Sequence, residues 1–211
     1  MTELVFILDR SGSMSGLEQD TIGGFNAMIE KQRQEDEKTL VTTVLFDSHN
    51  EIIHDRLPLE KVPPMTSREY YPRGCTALLD AVGSTIRHIA HIHKYSAPEH
   101  RPDKTLFVIT TDGMENSSRE YSYERVKQLI GHEQEKYGWE FLFLGANIDA
   151  AAEGAKLGIR DDRAVTYMCD AQGTSLNFEV IGDAVCQMRS KKELPSNWRE
   201  RIDEDVKNRG K

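Results

Sequence analysis

Apolar residues along the chain fall into two kinds of pattern, short unbroken runs and longer stretches repeating every three to four positions. The runs are Leu4-Val5-Phe6-Ile7-Leu8, residues 104–111 and 139–144. They are too short for helices and read as strands buried on both faces. Residues 40–46 and 51–57 are rich in Val, Thr and Ile and also read as strands. They are separated by the turn cluster Asp47-Ser48-His49-Asn50, which forces them antiparallel. A last short strand is expected at 164–169.

Between the strands the period changes to that of a helix. Ile22, Phe25, Ile29 and Gln32 predict a helix from 17 to about 38, in which Gly23-Gly24 points to close packing on a sheet. Leu79, Val82, Ile86 and Ile89 predict one reaching about 94, with Thr76 at its start. Tyr123, Val126, Ile130 and Tyr137 share the inner face of a helix over 121–137. Asp149 caps a short alanine-rich helix that Gly158 ends, and Phe178, Ile181, Val185 and Met188 mark a helix over 174–189. The order is β-α-β-β-α-β-α-β-α-β-α. Right-handed crossovers then give an α/β, doubly wound, mostly parallel six-stranded sheet with one antiparallel edge strand and helices on both faces. This accounts for one domain over 1–190. The remainder, 191–211, is highly charged but repeats Leu194, Trp198, Ile202 and Val206. It is expected to form an amphipathic helix docked on the domain, a partner-binding appendage being the alternative.

Charge changes the picture by exclusion. The 211 residues carry a formal net charge of −8, which argues against non-specific binding of nucleic acid or an anionic membrane. No apolar run is long enough for a membrane-spanning helix, and no basic leader precedes the first strand. Cys75, Cys169 and Cys186 are odd in number and widely spaced, with neither a zinc pattern nor a disulfide framework. A reducing, cytoplasmic location is expected. Cys75 is either a small loop residue or a redox handle on the neighbouring site. His88 and His91 lie one turn apart on a solvated helix face, where zinc binding is disfavoured.

The candidate chemistry lies where buried runs end. The first strand delivers Asp9-Arg10-Ser11-Gly12-Ser13-Met14, with a carboxylate and two hydroxyls at alternate positions. A later strand delivers Thr111-Asp112-Gly113, and Gly74-Cys75-Thr76 opens a helix. Ligands of open α/β sheets bind outside the carboxyl ends of the strands. Oxygen donors of this kind suit a hard cation, Mg²⁺ or Mn²⁺, with Ca²⁺ also accepted by such ligands. A purely structural role stays open for Asp9 and Asp112, because acids at strand ends also cap helices. The same holds for Thr76 as an N-cap and for Asp80 in the first helical turn.

Together, Asp-x-Ser-x-Ser, Thr76 at a helix start and Thr-Asp-Gly after a strand resemble the three loops of the metal-ion-dependent adhesion site (MIDAS) of von Willebrand factor A domains. The resemblance covers roughly residues 3–190 and is closest to small cytoplasmic bacterial members. It implies hydroxyl ligation by Ser11, Ser13 and Thr76, with Asp9 and Asp112 acting directly or through water. A partner's Asp or Glu would complete the coordination. It also implies a metal-dependent protein–protein interaction module, with an ATPase or a stress-response component as partner, and coupling of the 174–189 helix to the metal. The expected rim is Arg10, Met14, Tyr70, Tyr71, Arg73, Glu115 and Asn116. The alternative is a metal-dependent phosphatase or hydrolase using Asp9 and Asp112. Against it, Ser11 stands where an aspartyl phosphatase has its second Asp, and neither a phosphate loop nor a nucleophile elbow is present.

Overall fold

The computed structural model describes residues 1–35, 37–191 and 193–210. The chain folds as β1 (Thr2–Asp9), α1 (Glu18–Gln32), β2 (Thr39–Phe46), β3 (Asn50–Pro58), α2 (Leu78–Tyr95), β4 (Lys104–Thr111), α3 (Tyr123–Tyr137), β5 (Glu140–Ala146), α4 (Ala150–Lys156), β6 (Ala164–Tyr167), α5 (Ala171–Lys191) and α6 (Glu200–Arg209). The six strands form one sheet in the order β3-β2-β1-β4-β5-β6. Every pairing is parallel except β2 with β3. The sheet is the doubly wound, mostly parallel arrangement with one antiparallel edge strand expected from the run order.

Alternation along β1 feeds two cores. Leu4, Phe6 and Leu8 pack with Phe25, Ile29, Phe178 and Ile181 under α1 and α5. Val5 and Ile7 pack with Val82, Ile86, Val126 and Ile130 under α2 and α3. The unbroken apolar run of β1 is the sequence trace of a strand that serves both layers. Gly24 is the contact point of α1 and α5: a Cβ there would stand 2.6 Å from the Phe178 ring.

The structure corrects several element boundaries. The first helix stops at Gln32 instead of continuing to about 38. Arg189 holds the carbonyls of Gln32, Glu35 and Glu37, turning outward groups that a longer helix would bond internally. Tyr137 does not join the core but stands 54% exposed, and Glu133 takes the buried position one turn earlier. Thr76 is not the N-cap of α2: Ala77 holds that place without a side-chain bond. The free N–H groups of the first turn are taken from a distant loop, Leu79 by Glu115 at 2.9 Å and Asp80 by Ser118 at 3.0 Å. Asp80 in turn accepts N–H bonds from Arg119, Glu120 and Tyr121, which fixes it as a loop anchor.

The apolar stripe of the tail docks on the domain. Leu194, Trp198 and Ile202 are buried in the same core as α1 and α5. The Trp198 indole donates to the Asp162 carbonyl at 2.8 Å.

Candidate metal centre

The register of the central strands builds the site. Leu8 of β1 stands opposite Thr110 of β4, so Asp9 and Thr111 end side by side where the sheet stops. The chain leaves β1 toward β2 on one side and places β4 on the other, which is the switch point at which such sheets form a crevice. After Asp9 the backbone winds through a 3-10 turn at Gly12–Met14. That turn is pinned to the loop before α2 by Gly12 N–H to the Gly74 carbonyl at 3.2 Å and Arg73 N–H to the Arg10 carbonyl at 2.9 Å. Gly74 sits at φ +67, and a side chain there would meet Ser48. Thr76 and Asn116 clamp the second and third loops together. Thr76 N–H donates to Asn116 Oδ1 at 2.9 Å and Asn116 N–H to the Thr76 carbonyl at 3.1 Å.

This scaffold joins four of the candidate residues in one hydrogen-bonded chain. Asp9 Oδ1 accepts from Ser11 N–H at 2.7 Å. The Ser11 and Ser13 hydroxyls lie 3.0 Å apart, and Ser13 donates to Asp112 Oδ1 at 2.7 Å. Thr76 faces the same space: its Oγ1 is 3.9 Å from where a Cβ on Gly113 would lie. The Thr76 hydroxyl has no hydrogen-bond partner among the described residues, although the residue is only 3% exposed. Asp9, Ser11 and Asp112 are buried while Ser13 is exposed, so the oxygens line a recess that opens beside Ser13.

Electrostatically the recess is under-compensated. Burial pushes the Asp9 carboxyl up to about 6, against the lowering bonds from Thr111 and Ser11 and with added repulsion from Asp112. Burial raises Asp112 as well, its bond from Ser13 offsetting part of the effect. Asp112 Oδ2 is buried with no hydrogen-bond partner. A buried carboxylate oxygen without a partner is costly, and a bound cation is one group that removes the cost. The surrounding donors are all oxygen, two carboxylates and three hydroxyls, with no thiol or imidazole in the chain of bonds. That set fits a hard divalent ion. It carries fewer than three acids, and among the described residues no cluster of three or more His, Cys, Asp and Glu side chains is placed to hold a metal.

Three expected rim residues are corrected. Arg10 is 1% exposed and turned away from the recess. Its guanidinium spans Asp47 at 3.1 Å, Glu51 at 2.8 Å and the Glu69 carbonyl at 2.8 Å. Met14 is buried in the α1 core, where its apolar side chain gains more than at the surface. Tyr70 is also buried, and its hydroxyl donates to the Asp9 carbonyl at 2.7 Å. Glu115 is occupied in capping α2 and bonding Ser117 and Ser118. Tyr71, Arg73 and Asn116 do reach the surface. The Arg73 guanidinium lies 4.8 Å over the Tyr71 ring and bonds Asp47 at 2.9 Å.

The sequence reading missed two residues. Thr111 donates to Asp9 Oδ2 at 2.7 Å, and the Thr-Thr-Asp-Gly strand end was the available signal. Met114, next to the recess loop, is 56% exposed. On the outer face of α2, His88 pairs with Asp55 at 2.9 Å and the His91 ring packs against Tyr95 at 4.7 Å.

No family model matches the sequence, and no curated protein matches it. Solved structures do. A D319A mutant of the PilB minor pilin from Streptococcus sanguinis superposes with a TM-score of 0.56 at 13% identity, over 88% of this chain and 61% of the pilin. Proximal thread matrix protein 1 from the mussel byssus, with a zinc-occupied MIDAS motif, gives 0.58 at 16% identity over 88% of this chain and 46% of its own. The vWF domain of the type V pili tip protein Mfa5 from Porphyromonas gingivalis gives 0.58 at 11% identity over 88% and 95%. The chain thus spans less than two thirds of the pilin and less than half of the mussel protein. At these identities the likeness concerns the fold, and that fold is the one of the von Willebrand factor A domains.

Proposed function

We propose that the chain is a metal-dependent protein-interaction module, in which a divalent cation held at the recess receives a carboxylate from a partner protein. The observation that carries this reading is the buried, unpartnered Oδ2 of Asp112 beside the unbonded Thr76 hydroxyl. Ser11, Ser13 and Thr76 would hold the ion with Asp9 and Asp112, and the ion supplies an electrophilic centre when bound. Three of the five donors are neutral, so an incoming Asp or Glu gains strongly from the ion. The Tyr71–Arg73 pair, Asn116 and Met114 form the rim, a mix of aromatic, Arg and Met suited to an interface.

Mg²⁺ or Mn²⁺ is the resident ion, since every donor is a hard oxygen; the zinc in the mussel protein's motif makes Zn²⁺ the competitor to include. A binding role is favoured over hydrolysis because the Ser11 and Ser13 hydroxyls bond only each other and Asp112 among the described residues, with no histidine among those partners to activate them. The partner is an acidic surface on another protein, an ATPase or a stress-response component, met in a bacterial cytoplasm.

The test is calorimetric titration of Mg²⁺, Mn²⁺ and Zn²⁺ into chelator-treated protein, wild type beside Ser11→Ala and Asp9→Ala. Saturable binding lost in both variants supports the module, and metal-dependent capture of an acidic-faced protein completes it. Wild-type protein that binds none of the three ions, alone or with millimolar acetate as a carboxylate donor, refutes it.

A further inference from the structure

At the opposite end of the sheet from the recess lies a cavity of about 380 Å³. It is enclosed by the last turns of α2 and α3 and by the first residues of β4 and β5. Its volume falls in the range of small-molecule sites. Nothing in the metal-centre reading uses it.

Two groups on its walls lack partners. Glu133 is 4% exposed; its Oε1 pairs with His132 Nδ1 at 3.1 Å, but its Oε2 is buried with no hydrogen-bond partner. Trp139 is 5% exposed, held by the Phe107 ring at 5.3 Å and the His93 ring at 5.3 Å. Its indole N–H has no acceptor among the described residues. One wall thus offers a buried acceptor and a rigid aromatic donor. Leaving a buried carboxylate oxygen unbonded costs stability, so its retention beside a cavity points to a ligand that donates to it.

The mouth has the opposite sign from the chain as a whole. Arg87 and Lys94, both exposed, stand on the α2 side. Arg87 makes no hydrogen bond or ion pair among the described residues. Asp103, the acid at the mouth, is matched by the N-terminal amino group at 2.6 Å. The Lys94 ammonium lies 5.2 Å over the Tyr95 ring. In a protein of formal charge −8, the two side chains place positive charge at one opening.

We infer that this cavity is a nucleotide site, taking a planar base whose ring N–H or amino group meets Glu133 and whose phosphate meets Arg87 and Lys94. An acceptor on the base edge faces the Trp139 N–H, and the half-exposed Tyr137 ring offers a stacking surface. A base edge carries a donor and an acceptor side by side, and the nucleotide's phosphate supplies the anion that the mouth would receive.

The test is equilibrium binding of GMP, AMP, UMP and inorganic phosphate, in chelator so that the metal recess does not hold phosphate. Wild type, Glu133→Gln and Arg87→Ala are compared. The expected result is saturable binding of at least one nucleotide. Glu133→Gln weakens it by about tenfold or more, the scale of a hydrogen bond to a charged group. Arg87→Ala, an exposed position whose loss leaves the core intact, weakens it by a smaller factor. The proposal is overturned if the wild type binds no nucleotide, if phosphate alone binds as tightly as the nucleotides, or if folded Glu133→Gln and Arg87→Ala both bind as the wild type does.

Discussion

Replacing Asp112 by Asn should stabilise the metal-free protein while abolishing cation binding. In the native recess, Asp112 Oδ1 accepts from Ser13, and its buried Oδ2 is unpartnered near a second buried carboxylate. Asparagine keeps an acceptor for Ser13 and puts an N–H donor where the orphan oxygen was. The removed penalty is that of a buried unsatisfied group, about 1–3 kcal/mol. For a chain of this size each kcal/mol moves the melting temperature by about 2–4 °C. The pH dependence follows from Asp9. Its carboxyl titrates at about 6 in the folded protein, above the 3.8 of an ordinary Asp. The folded state then holds the proton more tightly, so the wild type's stability falls as pH rises from about 4 to about 6 and is flat above. Charge repulsion is therefore greatest at pH 7, and the advantage of the variant should be largest there and shrink at pH 5. The assay is urea denaturation in chelator at both pH values, repeated with saturating Mg²⁺. Saturating ion should stabilise only the wild type, by about 2.7 kcal/mol at a hundredfold excess over Kd. A variant less stable than wild type in chelator at pH 7, or an advantage that does not depend on pH, refutes the reasoning.

Thr76→Val should leave the melting temperature nearly unchanged, because Thr76 caps no helix and its hydroxyl is unbonded, yet calorimetry should show weaker cation binding. A loss of several degrees would restore the capping role. Arg10→Met should cost about 3–5 kcal/mol in urea denaturation, since it strips a buried guanidinium from Asp47 and Glu51; a loss below 1 kcal/mol would return Arg10 to the surface. Trp198→Ala should cost about 3–5 kcal/mol and speed proteolysis at the C-terminal end, as its ring is buried and its N–H bonds Asp162.

How much of this was legible in the sequence depended on range. Continuous apolar runs identified β1, β4 and β5, because a strand covered on both faces has no choice but to be apolar throughout. The turn cluster 47–50 likewise dictated the antiparallel edge pair. Asp9, Ser11 and Ser13 were legible as a group because alternation along one short loop is a local property, and Asp112 because its strand end is as explicit as the first. The burial of Arg10 was not: its partners Asp47 and Glu51 come from the β2–β3 hairpin, and their proximity follows only from strand order. The same applies to α2, whose N-terminus is capped by Glu115 and Ser118 from a loop some forty residues on, so Thr76 at the right spacing looked like the cap. The early end of α1 was hidden for a related reason, since Arg189 collects its last carbonyls from across the domain.

The docked tail has a further effect on how copies of this protein meet. β6 is the terminal strand of the sheet on its side, and such a strand presents unpaired backbone groups to any other chain. Arg199 covers that rim by donating to the carbonyls of Asp161 and Ala164, and Trp198 seals the approach. On the other side, β3 is guarded by Glu51, Asp55 and Arg56 and by register shifts in its pairing with β2. Trp198 and Arg199 of the docked tail thus cover a sheet edge that would otherwise be open to pairing with a second copy.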